Sequence, residues 1–146
     1  MSLGIYQQPK DTTEFSTGGE QTTPFSVAID GREGGAIEYQ LYLRNDDIEH
    51  WYTDISVRAV GTTTWPVDGT RGYSWKLKEG FIKPTQKEWD VIESGNSITF
   101  SDIGTASYGD IVSYLPFWVR VEIPRTDRAY TVKDVTLQIR FTESAV

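Results

Sequence analysis

The sequence predicts an all-β fold, an antiparallel β-sandwich of immunoglobulin-like or jelly-roll-like type with one short helix near residues 85–92. Two runs near its end carry most of that expectation. In the first, Phe117, Val119, Val121 and Ile123 alternate with Trp118, Arg120 and Glu122, between Pro116 and Pro124. In the second, Val135, Leu137, Ile139 and Phe141 alternate with Thr136, Gln138 and Arg140. Successive side chains of a strand point to opposite faces, so each run has one apolar and one polar face. Antiparallel sheets packed on one side only have this pattern. The third observation is recurrence: shorter runs of the same kind follow one another along the chain, separated by turn residues.

The runs begin at Pro24. Phe25, Val27 and Ile29 alternate, and Asp30-Gly31 with Gly34-Gly35 supply residues that tolerate positive φ. Ile37, Tyr39, Leu41 and Leu43 form a second apolar face, ended by Asn45-Asp46-Asp47. Trp51 to Val60 resumes the pattern with Ile55, Val57 and Ala59 directed inward. A loop with Gly61, Trp65, Pro66 and Asp68-Gly69 leads to a strand carrying Tyr73, Trp75 and Leu77. Thr85 and Glu88 form a capping-box pair, and Trp89 and Ile92 then share a helix face that covers the core until Gly95. Ile98 and Phe100 mark a further strand, and Ile111, Ser113 and Leu115 lead into the closing pair. The side chains expected inside are Phe25, Val27, Leu41, Leu43, Ile55, Val57, Trp75, Phe117, Val119, Val121, Leu137 and Ile139.

Residues 1–23 show neither period, and the expected organisation is an extended N-terminal arm over 1–23 followed by a sandwich domain over 24–146. The segment reads either as a frayed terminus or as an arm that orders only against a neighbouring subunit, with Ile5, Tyr6 and Phe15 as its apolar anchors. On that expectation, deleting 1–23 leaves a folded domain. The length, 146 residues, suits one domain.

Composition narrows the function. The chain has no cysteine, which removes disulfides and thiolate metal sites. Its first residues lack a basic stretch followed by an apolar one, so no signal peptide is expected, and no run approaches the ~18 apolar residues of a membrane span. A formal charge of −7 opposes nucleic-acid binding, which rests on Lys and Arg, and fits a basic partner surface or simple solubility. His50 is the single histidine, set among acids with no nucleophile elbow, so it reads as a solvated loop residue and no catalytic residue is assigned. Asn45, Asp46 and Asp47, or Asp102 with Asp110, carry the hard oxygens that calcium takes, but without ligand spacing they read as turns. No cofactor or metal is expected.

Aromatic residues are the unusual feature, with five Trp and eight Tyr. Trp75 reads as core. Trp118 and Tyr42 share parity with polar neighbours and point away from it, while Trp51, Tyr52 and Trp65 lie at loop edges. Together with Ile5, Tyr6 and Phe15 these five are the interaction candidates, as a self-assembly surface or a ligand platform.

Three phrases, Gly95-Asn96-Ser97-Ile98, Asp102-Ile103-Gly104 and Pro116-Phe117-Trp118-Val119-Arg120-Val121 with Pro124, resemble small β-sandwich structural proteins of tailed bacteriophages. Leu43-Arg44-Asn45-Asp46-Asp47 with Trp51-Tyr52-Thr53 is similar in character, and the resemblance covers about residues 24–141. It implies a non-enzymatic virion protein, made in a host cytoplasm: a capsid decoration or cement protein on the major capsid lattice, or a neck or tail component. Its partners would be copies of itself and other virion proteins, not nucleic acid or membrane. Trp118-Val119-Arg120 with Pro124 also resembles immunoglobulin-like modules of carbohydrate-active enzymes, which implies sugar binding as the alternative.

Overall fold

Each long alternating run is a strand of one of two antiparallel sheets in the computed structural model, which describes residues 3–6, 14–17, 25–29, 35–45, 47, 49–104, 114–124 and 130–145. The elements are β1 (Leu3–Tyr6), β2 (Glu14–Thr17), β3 (Phe25–Ile29), β4 (Gly35–Asn45), β5 (His50–Val60), β6 (Ser74–Glu79), α1 (Gln86–Asp90), β7 (Ser97–Phe100), β8 (Tyr114–Ile123) and β9 (Tyr130–Ala145). One sheet has the order β2-β1-β4-β8-β6 and the other β3-β9-β5-β7. The expected all-β sandwich is therefore the observed architecture.

The alternation sets the core. From the first sheet Leu41, Leu43, Trp75, Leu77, Phe117, Val119 and Val121 face inward, and from the second Ile55, Val57, Ile98, Val135, Leu137 and Ile139 meet them. Phe100 and Phe117 join the sheets edge-to-face at 5.6 Å. Trp118 and Gln138, on the opposite parity, are only half-buried, as the expected register requires. Phe25 and Val27 lie in β3, and their side chains fall outside the described residues, as do Ile111, Ser113 and Asp110.

The described part of residues 1–23 is not a detached arm. β1 lies inside the first sheet between β2 and β4, with Leu3 paired to Asn45 and Tyr6 to Tyr42. Leu3, Ile5 and Tyr6 are buried, and the Arg44 guanidinium stacks 3.5 Å over the Tyr6 ring. The domain thus begins before residue 24. Ile5 is spent on its own core, and Tyr6, paired with Tyr42, is buried on the outer face against Arg44, so neither is the exposed anchor expected; Phe15 lies in β2, with its side chain outside the described residues. The four-residue run was too short to show a period, and the β4 edge that receives it is not visible locally.

Tyr52 is corrected for a different reason. Between Thr53 and Ser56 the β5–β9 register slips, two residues of β5 facing one of β9, and Asp54 takes φ 53°. A bulge of this kind inverts the parity. Even-numbered Tyr52 therefore faces inward beside odd-numbered Ile55, Val57 and Ala59, fully buried and edge-on to Phe141 at 5.1 Å.

The outer edge of β6 is closed without another strand. Trp75 N–H donates to the Val67 carbonyl and its carbonyl accepts from Gly95 N–H. The Asn96 carboxamide bonds both the N–H and the C=O of Leu77, each at 2.8 Å, imitating a neighbouring peptide. Such closure protects an edge from casual pairing.

Two outcomes are expected. Leu137→Ala lowers unfolding free energy by ~2–5 kcal/mol whereas Gln138→Ala is nearly silent, measured by urea denaturation. Removing residues 1–6 strips Leu3 and Ile5 from the core, each worth ~1.5–3 kcal/mol, removes buried Tyr6 from the outer face and exposes the β4 edge. The truncated chain is expected to be poorly folded by amide exchange; a cooperative, native-like fold would contradict the inserted-strand arrangement.

Candidate functional site

Pro116 determines where β6 ends. In the β6–β8 ladder the even-numbered residues of β8 direct their backbone groups toward β6, and Gly80 N–H donates to the Pro116 carbonyl at 2.9 Å. Proline has no N–H to return, so the Gly80 carbonyl has no ladder donor and the chain departs. Gly80 turns it with φ 118°, a conformation that favours glycine. The following residues form a strap across the outer face of the first sheet. There the Phe81 carbonyl accepts from Gln40 Nε2 at 3.1 Å and Trp118 Nε1 at 3.2 Å.

The strap is anchored by α1. Thr85 Oγ1 accepts from Glu88 N–H and the Glu88 carboxylate accepts from Thr85 N–H, the expected capping box. These donors, the Thr85 backbone N–H first, hold the Glu88 carboxyl below its ordinary range. Trp89 is fully buried, but not in the inter-sheet core as the sequence suggested. It lies on the sheet's polar outer face, its Nε1 donating to the Glu38 carboxylate and its carbonyl accepting from Lys76 Nζ at 3.1 Å. Glu38 also faces Lys83 and Arg120, each at 3.7 Å, and Glu122 joins Arg120 at 2.9 Å and Lys76 at 3.5 Å. Charges of opposite sign thus alternate beneath the strap.

The strap exposes apolar groups. Phe81 is 60% exposed, Ile82 87% and Val91 81%. Neighbouring Gly80 and Phe81 help to line an open mouth of about 560 Å3 between the two sheets, with Glu79, Thr99, Phe100, Ser101, Leu115 and Pro116. Phe100 is the last inward-facing apolar residue of β7 and Leu115 the first of β8, so among the described residues the mouth is an open end of the core. Pockets of this size with apolar walls and a few polar groups suit ligands or anchoring side chains.

A second cluster lies where β5 begins. His50 Nδ1 is 2.7 Å from Asp47 Oδ2 and its Nε2 is 3.5 Å from Glu143 Oε1, while the Tyr52 hydroxyl donates to Glu143 Oε2. His50 is therefore half-buried between carboxylates rather than solvated, and it ties the β4–β5 turn to the end of β9. Glu49 N–H, and then His50, hold the Asp47 carboxyl below its usual value. Asn45 is a buried turn residue, donating to the carbonyls of His50 and Gly104 and accepting from Asp47 N–H. Among the described residues no group of three or more His, Asp or Glu side chains could hold a metal.

Among the described residues the sequence-derived aromatic candidates do not form one platform. Tyr42 and Trp118 share the outer face of the first sheet around the strap, and Tyr114 meets Tyr42 edge-on at 6.1 Å. Trp65 packs on Tyr73 at 5.7 Å against the core, and half-buried Trp51 lies on β5, on the parity opposite Tyr52. The Tyr42–Tyr114, Tyr52–Phe141, Trp65–Tyr73 and Phe100–Phe117 pairs meet at 68° to 89°, unlike the flat array that a stacked sugar uses. Sequence reasoning missed Glu79, Phe81, Ile82 and Val91. The signal was an apolar pair isolated in Lys78-Glu79-Gly80-Phe81-Ile82-Lys83-Pro84, with no strand alternation and no helix period to occupy it.

Comparison with family models, curated proteins and solved structures found no match for this chain.

Because the folded-state pKa of Glu88 is depressed, the capping contribution is complete above the ordinary glutamate range and disappears as pH falls through the folded value. Protection factors of the α1 amides, corrected for the intrinsic exchange rate at each pH, are expected to fall in that acidic window. In Glu88→Gln those protection factors should not change across the same window, and an equally steep acid loss there would refute the assignment.

Proposed function

We propose that this chain is a non-enzymatic structural subunit of a larger assembly, a virion protein of a tailed phage as its sequence resemblance implies, with capsid decoration the preferred position and neck or tail the alternative. The observation that supports docking is the strap: Phe81, Ile82 and Val91 are held in water by a network that anchors the backbone beneath them. Large exposed side chains on an anchored segment resemble the anchors of an interface, because little ordering remains to oppose binding. Each could contribute ~1.5–3 kcal/mol when covered by a partner. A repeating lattice multiplies such modest contacts through effective concentration. The edge-on Tyr42–Tyr114 pair on the outer face favours this reading over the sugar-binding alternative.

Purified virions of the phage encoding the chain provide the test. The wild-type protein is expected in the particle by mass spectrometry. A Phe81→Ser, Ile82→Ser double variant should keep its melting temperature within about 2–3 °C, as surface changes usually do, yet be lost from particles. A variant that occupies particles normally, or a wild-type chain absent from them, would refute the proposal.

A further inference from the structure

We infer that the mouth takes an extended segment of a partner protein carrying a basic residue and an apolar residue two positions apart, which adds to the β6 edge at Glu79. The inference rests on the binding role proposed above and names the chemistry of its partner.

The backbone of β6 supplies the first half of the argument. Even-numbered residues of β6 bond to β8, so the N–H and C=O of Trp75, Leu77 and Glu79 point to the open side. The Trp75 groups are satisfied by Val67 and Gly95, and the Leu77 groups by Asn96. Those of Glu79 have no partner among the described residues. The closure therefore stops one ladder step early, where the strand lines the mouth. An extended peptide laid there would exchange main-chain hydrogen bonds with Glu79, which is how strand addition gives affinity.

Charge supplies the second half. Glu79 shares the inward parity of Trp75 and Leu77, so its side chain belongs to the apolar mouth. Its carboxylate makes no ion pair among the described residues, unlike Glu38 and Glu122 on the outer face. A single unpaired acid among Phe81, Phe100 and Leu115 complements a Lys or Arg, whose aliphatic stem suits the same walls. The chain's net charge of −7 draws a basic partner in the same sense. Residues two apart in a strand share one face, so one apolar side chain enters the mouth beside the cation.

A positional-scanning library of N-acetylated, C-amidated heptapeptides, read by fluorescence polarisation against the full chain, tests this. The tightest pools are expected to hold Lys or Arg with an apolar residue two positions away, and to shift the Glu79 amide resonance. Glu79→Gln should weaken those peptides about tenfold, equivalent to ~1.4 kcal/mol. N-methylation of the peptide amide that pairs with Glu79 should weaken them similarly. No bound pool, a preference for acidic or uncharged pools, or equal affinity in Glu79→Gln would overturn the inference. So would n-butylguanidinium binding as tightly as the best peptide, since strand addition would then be unnecessary. If the Phe81→Ser, Ile82→Ser variant leaves the particle while Glu79→Gln binds all pools unchanged, the inference falls and the proposed function stands.

Discussion

The β4–β8 ladder is the constraint on which the rest of the structure depends. It runs unbroken from the Gly35–Ile123 pair to the Arg44–Tyr114 pair. Its inner face contributes Leu41, Leu43, Phe117, Val119 and Val121 to the core. Its outer face sets Glu38 against Arg120 and Gln40 against Trp118, the groups that receive the strap. A slip of one residue would exchange these faces, burying charge and exposing the core. One register therefore selects both the hydrophobic interior and the polar seat of α1.

The same ladder explains where the molecule opens. β8 continues beyond Pro116 toward Tyr114, still paired to β4, while β6 has already left at Gly80. On the other sheet β7 ends at Phe100. The two edge strands thus stop short of the strands they flank, leaving Leu115 and Phe100, among the described residues, at an open end of the core. Asn96, just before β7, bonds β6 in the other sheet, so one carboxamide both seals an edge and ties the sheets together.

The outer-face charges hold the strap rather than supply the fold's main stabilisation. Lys83 is largely exposed and its pair with Glu38 is worth little by itself. Arg120 and Glu38 are mostly covered, so removing one would leave the other in a poorly solvated place. Trp89 makes the arrangement specific: it is fully buried, and its indole N–H and backbone carbonyl are met by Glu38 and Lys76. Apolar groups beyond this anchor remain in water because the strap's inward side is already committed.

The sequence by itself determined the sandwich, the inward set of β8 and β9, and the capping box of α1. Those features are local: period-2 alternation and a Thr85–Glu88 spacing act within a few residues. It also made Trp118 and Tyr42 outward-facing by parity alone. Only the tertiary structure decided where short or parity-breaking segments belong. Leu3–Tyr6 joins the sheet because β4 offers a distant edge, and Tyr52 turns inward because a bulge at Asp54 shifts the pleat. Trp89 lands on the polar face because Pro116, far along the chain, ends the β6 ladder and sends the strap outward. The mouth at Glu79 has the same origin, since it forms where strands from both sheets end at different levels, a relation between backbones that no local pattern encodes.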